Sequence, residues 1–141
     1  MRPSIAQERA RHALDEIRQI DRDSRYSSED KNKYASYVES LPAMILANGL
    51  GQAMATLLAQ AEGDKEDLHY VLYNSIQGWL CRDHPQAPYR KAKDLMEAIV
   101  NSNREAYIKA QIEALTYLEW LKKFAVAFFK KETVVEKGEI S

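Results

Sequence analysis

Residues 34–61 read YASYVESLPAMILANGLGQAMATLLAQA. Tyr34, Val38, Leu41 and Ile45 recur at spacings of four and three, which puts them on one face of a helix, with Tyr37 and Met44 beside it. This helical region is predicted to begin near Glu29, behind the polar break Asp23-Ser24-Arg25-Tyr26-Ser27-Ser28. Within that break, Ser27 followed by Asp30 comes nearest to a capping box. The apolar stripe keeps its phase across Pro42. Proline removes one backbone hydrogen bond and crowds the preceding turn. A kink or brief break is therefore expected near Ser40, with Pro42 in the first turn of the next piece. Asn48-Gly49 is the expected stop, since both residues tolerate the left-handed conformation. A further helix follows over Leu50–Ala61, with Leu50, Ala53, Met54, Leu57 and Leu58 apolar.

The same helical spacing extends outward in both directions. The first helix is predicted over Ser4–Asp23, with Ala6, Ala10, Ala13, Leu14, Ile17 and Ile20 as its stripe. Glu8, His12, Asp15 and Glu16 lie on the opposite face. Either Pro3 or Ser4 suits its start. Gly63-Asp64 is expected to end the Leu50–Ala61 helix and cap the next, over Lys65–Cys81, with Leu68, Val71, Leu72, Ile76, Trp79 and Leu80 inward. Asp83-His84-Pro85-Gln86-Ala87-Pro88 is the clearest loop, because residues before proline are pushed out of the helical region. A helix over Tyr89–Asn101 follows, Ser102-Asn103 breaks and recaps the chain, and a long last helix runs over Arg104–Lys131. Its apolar face is expected to drift. Ile108, Ile112 and Leu115 point one way, and Leu121, Phe124, Ala125 and Phe128 another. The polar segment from Glu132 to Ser141 is expected to fray; Thr133-Val134-Val135 is the only hint of a strand. The expectation is an all-α, compact, single-domain bundle over residues 1–141, with about six to seven helices and a long C-terminal helix.

Composition agrees. The 141 residues are 45% hydrophobic and 29% charged, with 5 glycines and 4 prolines, which suits one helical core and not a turn-rich β fold. Twenty basic and 21 acidic residues leave a net charge of -1. Bulk charge therefore makes no case for a free-standing nucleic-acid binder, and any contact with nucleic acid must come from a local basic face. The single cysteine, Cys81, excludes an internal disulfide and fits a reducing cytoplasm. Met1-Arg2-Pro3-Ser4 leads directly into an amphipathic segment, so no signal peptide is expected. No apolar run approaches the roughly 18 residues of a membrane span.

Catalytic and metal chemistry find weak footholds. Glu66 and His69 stand one helical turn apart, as in half of a carboxylate-bridged di-iron site, and Glu8 with His12 is the only similar pair. Neither is joined by further inward acids, and a solvated surface pair is the plainer reading. Cys81 and His84 lack the second pair that a zinc tetrahedron needs. As a nucleophile Cys81 would need a base and an oxyanion hole, and nothing else converges there. Gly49-Leu50-Gly51 at a helix start resembles part of a dinucleotide loop but has neither the preceding strand nor the third glycine. A packing role is the better reading: Gly49 for a left-handed turn, Gly51 for close approach of another helix. No catalytic residue, metal or cofactor is assigned.

Basic faces carry more. Arg11, Arg18 and Arg22 line one edge of the first helix, with Asp15 able to pair with Arg11 or Arg18. Lys122, Lys123 and Lys130 line one side of the last helix. Arg90, Lys91 and Lys93 cluster at an expected helix start, where they would oppose the dipole. Each cluster reads either as a solvated face or as a set of phosphate contacts made without base readout. Tyrosine is abundant, at 8 residues. Tyr34, Tyr37, Tyr70, Tyr73 and Tyr117 fall at core-edge positions, suited to packing with the hydroxyl at the rim.

Three segments carry a family resemblance: Gln7-Glu8-Arg9-Ala10 with Ala13-Leu14, the run from Tyr34 to Ala55, and Tyr117-Leu118-Glu119-Trp120-Leu121-Lys122-Lys123-Phe124-Ala125. Together they resemble the small helical subunit of the Cmr complex, the type III-B CRISPR effector of antiviral defence. The most specific part is Leu41-Pro42 to Gln52; Tyr37, Leu41, Pro42, Asn48, Gly49, Gly51 and Gln52 are its structural motif. The resemblance implies an all-α fold, no enzymatic activity and no cofactor. It implies other Cmr subunits, further copies of the chain, and guide and target RNA as partners. Copies stack head to tail beside a filament that holds the guide, and both line the channel where target pairs with guide. RNA cleavage and nucleotide cyclisation then belong to neighbouring subunits. The competing readings are a free-standing helical adaptor or nucleic-acid-binding protein and, resting on Glu66 and His69 alone, a ferritin-like metalloenzyme.

Overall fold

A computed structural model describes residues 2–130. Among the described residues the elements are six helices and no strands: α1 (Ile5–Arg22), α2 (Ser28–Asn48), α3 (Leu50–Ala61), α4 (Leu68–Leu80), α5 (Leu95–Asn101) and α6 (Arg104–Phe129). The segment from Glu132 to Ser141, with its Thr133-Val134-Val135, lies outside them, as does Lys131.

Local chemistry sets the starts. Ser4 caps α1 in a full capping box with Gln7, and Ser27 caps α2 in one with Asp30. Asn103 caps α6 through the Ala106 N–H. The α3 end is a left-handed pair, Glu62 at φ 52° and Gly63 at φ 81°.

The core is one cluster that draws on every helix. α6 packs on α1 and α2, α3 packs on α4, and α5 lies beside α3. α1 runs parallel to α6, with Arg9 beside Glu113 and His12 beside Tyr117. α2 runs antiparallel to it, with Tyr34 edge-on to Phe129 at one end and Gly49 facing Tyr107 at the other.

Four expectations change. α2 is continuous through Pro42, with no break at Ser40. Proline forfeits one hydrogen bond, and Val38, Leu41 and Ile45, all buried, hold both halves of the helix on the same core. α4 starts at Leu68 and not Lys65, because Asp67 accepts from the His69 N–H and ends the turn before it. α5 starts at Leu95, so Tyr89–Asp94 is irregular and not helical. The Tyr89 and Lys91 N–H groups donate to the Leu80 and Cys81 carbonyls, and Lys91 sits at φ 64°. This pairing with the end of α4 replaces the first turns of a helix. Finally, the buried face of α6 does not drift. Ala110, Ala114, Tyr117, Leu118, Leu121, Ala125 and Phe129 form one stripe, while Ile108, Ile112 and Phe128 are exposed.

Candidate nucleic-acid interface

The glycine corner between α2 and α3 is filled by the protein itself. Gly49 has φ 89° and ends α2 while starting α3. The Leu50 N–H donates to Gln111 Oε1 at 2.9 Å, and the Gly51 N–H donates to the Tyr107 hydroxyl at 3.0 Å. Two orphan donors of α3 are thus met by side chains of α6. The packing role of this corner holds, with one correction. The crowded glycine is Gly49, where a Cβ would stand 2.9 Å from the Tyr107 hydroxyl. At Gly51 the nearest contact would be an ordinary 3.4 Å, to Ile99 Cγ2. The other motif residues divide. Leu41 is core, Tyr37 stacks on His69 with centroids 3.9 Å apart, Pro42 is half-buried, and Asn48 and Gln52 are exposed.

On the face of α1 opposite its apolar stripe, Glu8, His12 and Glu16 are half-buried and only Asp15 is exposed. Arg9 Nε donates to Glu113 Oε2 at 2.6 Å and Arg9 Nη2 to Glu113 Oε1 at 3.1 Å. Trp79 Nε1 donates to the same Glu113 Oε2 at 2.9 Å. Burial pushes the Glu113 carboxyl up, but the Arg9 and Trp79 hydrogen bonds outweigh it and hold the group below its usual range. His12 Nδ1 lies 2.8 Å from the Tyr117 hydroxyl, with its ring edge-on to both Trp79 and Tyr117. Burial lowers the His12 pKa; Arg82 adds to this, while Glu16 and Asp15 oppose it. Ser75, the one buried polar residue among the described residues, donates to Glu16 Oε1 at 2.5 Å. Trp79 stacks with Tyr117 at 5.8 Å, and the Arg82 guanidinium lies 3.5 Å from the indole centroid. Tyr117, expected at the core edge, is fully buried, as is Tyr34. Sequence spacing missed this seam, because its partners come from helices far apart in the chain.

The metal and nucleophile candidates do not assemble. Glu66 lies outside α4, and His69 Nδ1 is 2.8 Å from Asp67 Oδ1 instead. His84 faces Glu8 at 3.9 Å, and Cys81 is buried, its thiol raised to about 11 by burial with Asp94 nearby. Among the described residues no three His, Cys, Asp or Glu side chains converge as a metal site.

The basic residues occupy three separate places. Arg11, Arg18 and Arg22 are exposed along α1, and none forms an ion pair among the described residues, Asp15 included. Over Tyr89–Asp94, Arg90 pairs with Asp83 at 2.8 Å, while Lys91 and Lys93 are exposed. Of the three, only Lys93 stands at the start of the short α5, directly before its Asp94 cap. On α6, Lys122 and Lys123 are exposed; Lys130 donates to Ser36 at 2.9 Å and pairs with Glu39 at 3.5 Å. No helix among the described residues is long and apolar enough to cross a membrane.

All six helices bear on the comparison with known proteins. The family model described as CRISPR-associated protein (Cas_Cmr5) matches residues 5–128, from the first residue of α1 to the last turn of α6. The glycine corner, the α1 edge and the aromatic seam all lie within that span, and the chain belongs to this family, the small subunit of the type III-B CRISPR Cmr complex.

Proposed function

We propose that this chain acts as one helical domain and a non-catalytic structural subunit of the cytoplasmic Cmr ribonucleoprotein. In this reading copies stack into a filament beside the guide-binding backbone and help hold guide and target RNA by phosphate contacts. The observation that carries the RNA part is the α1 edge. Arg11, Arg18 and Arg22 stand in line on a rigid helix, with no ion-pair partner among the described residues. At about 1.5 Å per residue the line is about 16 Å long, which spans several phosphates of a strand. Guanidinium groups so placed bind phosphate without reading bases. Lys91, Lys93, Lys122 and Lys123 are secondary candidates. Arg90 and Lys130 are less available, since each already has an internal acid. Stacking draws support from apolar side chains that the core leaves uncovered, among them Leu46, 71% exposed, with Ile108, 45% exposed, and Ile112, 61% exposed, on α6.

Co-expression with the other subunits tests the assignment. Affinity purification through a partner subunit should recover this protein in a particle that holds guide RNA. A guide-loaded particle that forms without it would refute the reading.

A further inference from the structure

The aromatic seam ends at the surface in a groove of about 320 Å³ between α1 and the end of α4. Its floor is a stack that rises from the core: Tyr117 is 0% exposed, Trp79 is 2% exposed, and Arg82 is only partly covered. The Trp79 indole is locked by its hydrogen bond to Glu113. Arg82 is fixed in turn, because its Nη1 donates to the Trp79 carbonyl at 2.6 Å while its Cζ lies over the indole, 3.5 Å from the centroid. No carboxylate lies within ion-pairing distance of Arg82 among the described residues. A planar, immobilised guanidinium without an acid partner forms the outer surface of the stack.

The walls are mixed in charge. Glu8 and Asp15 supply acceptors, and Arg11 lines the groove while also standing on the exposed α1 edge. Carboxylates lining a groove repel phosphate, yet they accept well from the amino groups of nucleobases. Stacked guanidinium planes are one of the two surfaces on which unpaired RNA bases are held. At about 320 Å³ the groove is at the small end of ligand-sized pockets.

We propose that this groove docks one unpaired RNA base, stacked on Arg82 and hydrogen-bonded by Asp15 or Glu8, with Arg11 taking the adjoining phosphate. This rests on the RNA-contact reading above and adds a base site to a surface otherwise argued to touch only the backbone.

The test uses the full chain, followed by the backbone and side-chain N–H resonances of the isotopically labelled protein. The probes are adenosine, adenosine 5′-monophosphate and inorganic phosphate. The expected result is a saturable shift of the Trp79 indole and Arg82 Nε resonances with adenosine, and several-fold tighter binding of the monophosphate. Arg11→Ala should remove the difference between the two. Arg82→Lys keeps the charge and loses the plane, and should weaken adenosine at least tenfold. Wild-type adenosine binding stands as a readout that needs no variant to fold. The proposal is overturned if adenosine leaves both resonances in place, if Arg82→Lys titrates like wild type, or if phosphate alone reproduces the shifts. A silent titration beside a guide-loaded particle containing this chain would remove the base site alone. A particle lacking the chain would remove the broader reading.

Discussion

The Tyr107 hydroxyl of α6 accepts the Gly51 N–H of α3 at 3.0 Å and stands where a Cβ on the neighbouring Gly49 would have to go. One side chain thereby caps a helix and fixes the angle at which α2 turns into α3. The corner carries the most specific part of the sequence resemblance, and its role is mechanical: it fastens the α2–α3 corner to the long helix.

The two glycines should respond differently to alanine. Gly49→Ala meets both an unfavourable positive φ and the Tyr107 hydroxyl, and should cost about 1–3 kcal/mol or more. Gly51→Ala gains helix propensity, about 1 kcal/mol, against a contact at ordinary distance, and should be neutral to mildly stabilising. Urea unfolding of the two variants separates them. Equal destabilisation would mean that close helix approach at Gly51 matters after all.

Glu113 gathers Arg9 and Trp79. Glu113→Ala leaves a half-buried guanidinium and an indole N–H without their acceptor. The expected loss is about 1–3 kcal/mol, held below the range for a fully buried pair because solvent reaches the site. Glu113→Gln should recover part of it by keeping one acceptor. Both are measured by chemical denaturation, with Trp79 fluorescence in a Trp120→Phe background reporting on the seam.

His12 ties stability to pH. Its folded pKa lies below the ordinary histidine value of about 6.5 because burial disfavours the charged ring. Well above 6.5 the ring is neutral in both states and makes no difference. As pH falls through 6.5 toward the lower folded value, the unfolded chain takes the proton first, so stability declines. Neutral imidazole also offers Nδ1 as an acceptor to the Tyr117 hydroxyl, and the imidazolium does not. Unfolding free energies at pH 7.5, 6.5 and 5.5 should fall in that order, and His12→Gln should flatten the decline. Glu113, whose carboxyl is held low, adds its own loss only at more acid pH.

How much of this was legible depends on where each partner sits in the chain. Ser4 with Gln7 and Ser27 with Asp30 are local, so spacing alone found or nearly found both caps. The end of α2 at Gly49 was equally local. Pro42 misled because the propensity of one residue was set against a core stripe that outweighs it. The start of α5 misled because Tyr89 and Lys91 spend their N–H groups on the Leu80 and Cys81 carbonyls, a pairing that no period reveals. His12 read as part of a solvated pair, and Glu16 only as a residue of the outer face, because their partners, Tyr117 and Ser75, lie 105 and 59 residues away. Arg82, which carries the groove, belongs to no basic run and left no signal in the sequence.

The lysines of α6 should divide by their partners. Lys130→Glu loses Ser36 and places two acids together at Glu39, with an expected cost of up to about 1 kcal/mol. Lys122→Glu with Lys123→Glu meets no internal acid among the described residues and should leave stability within about 0.5 kcal/mol. Thermal melts of the two variants check this. A large loss in the double variant would show that this side of α6 is structural.

The most direct test of the central claim is target-RNA affinity of the reconstituted complex carrying Arg11→Glu, Arg18→Glu and Arg22→Glu in this chain, measured across a salt series. The account predicts an intact fold, an assembled particle, affinity at least tenfold weaker and a shallower dependence on salt. Wild-type affinity with an unchanged salt slope would contradict it.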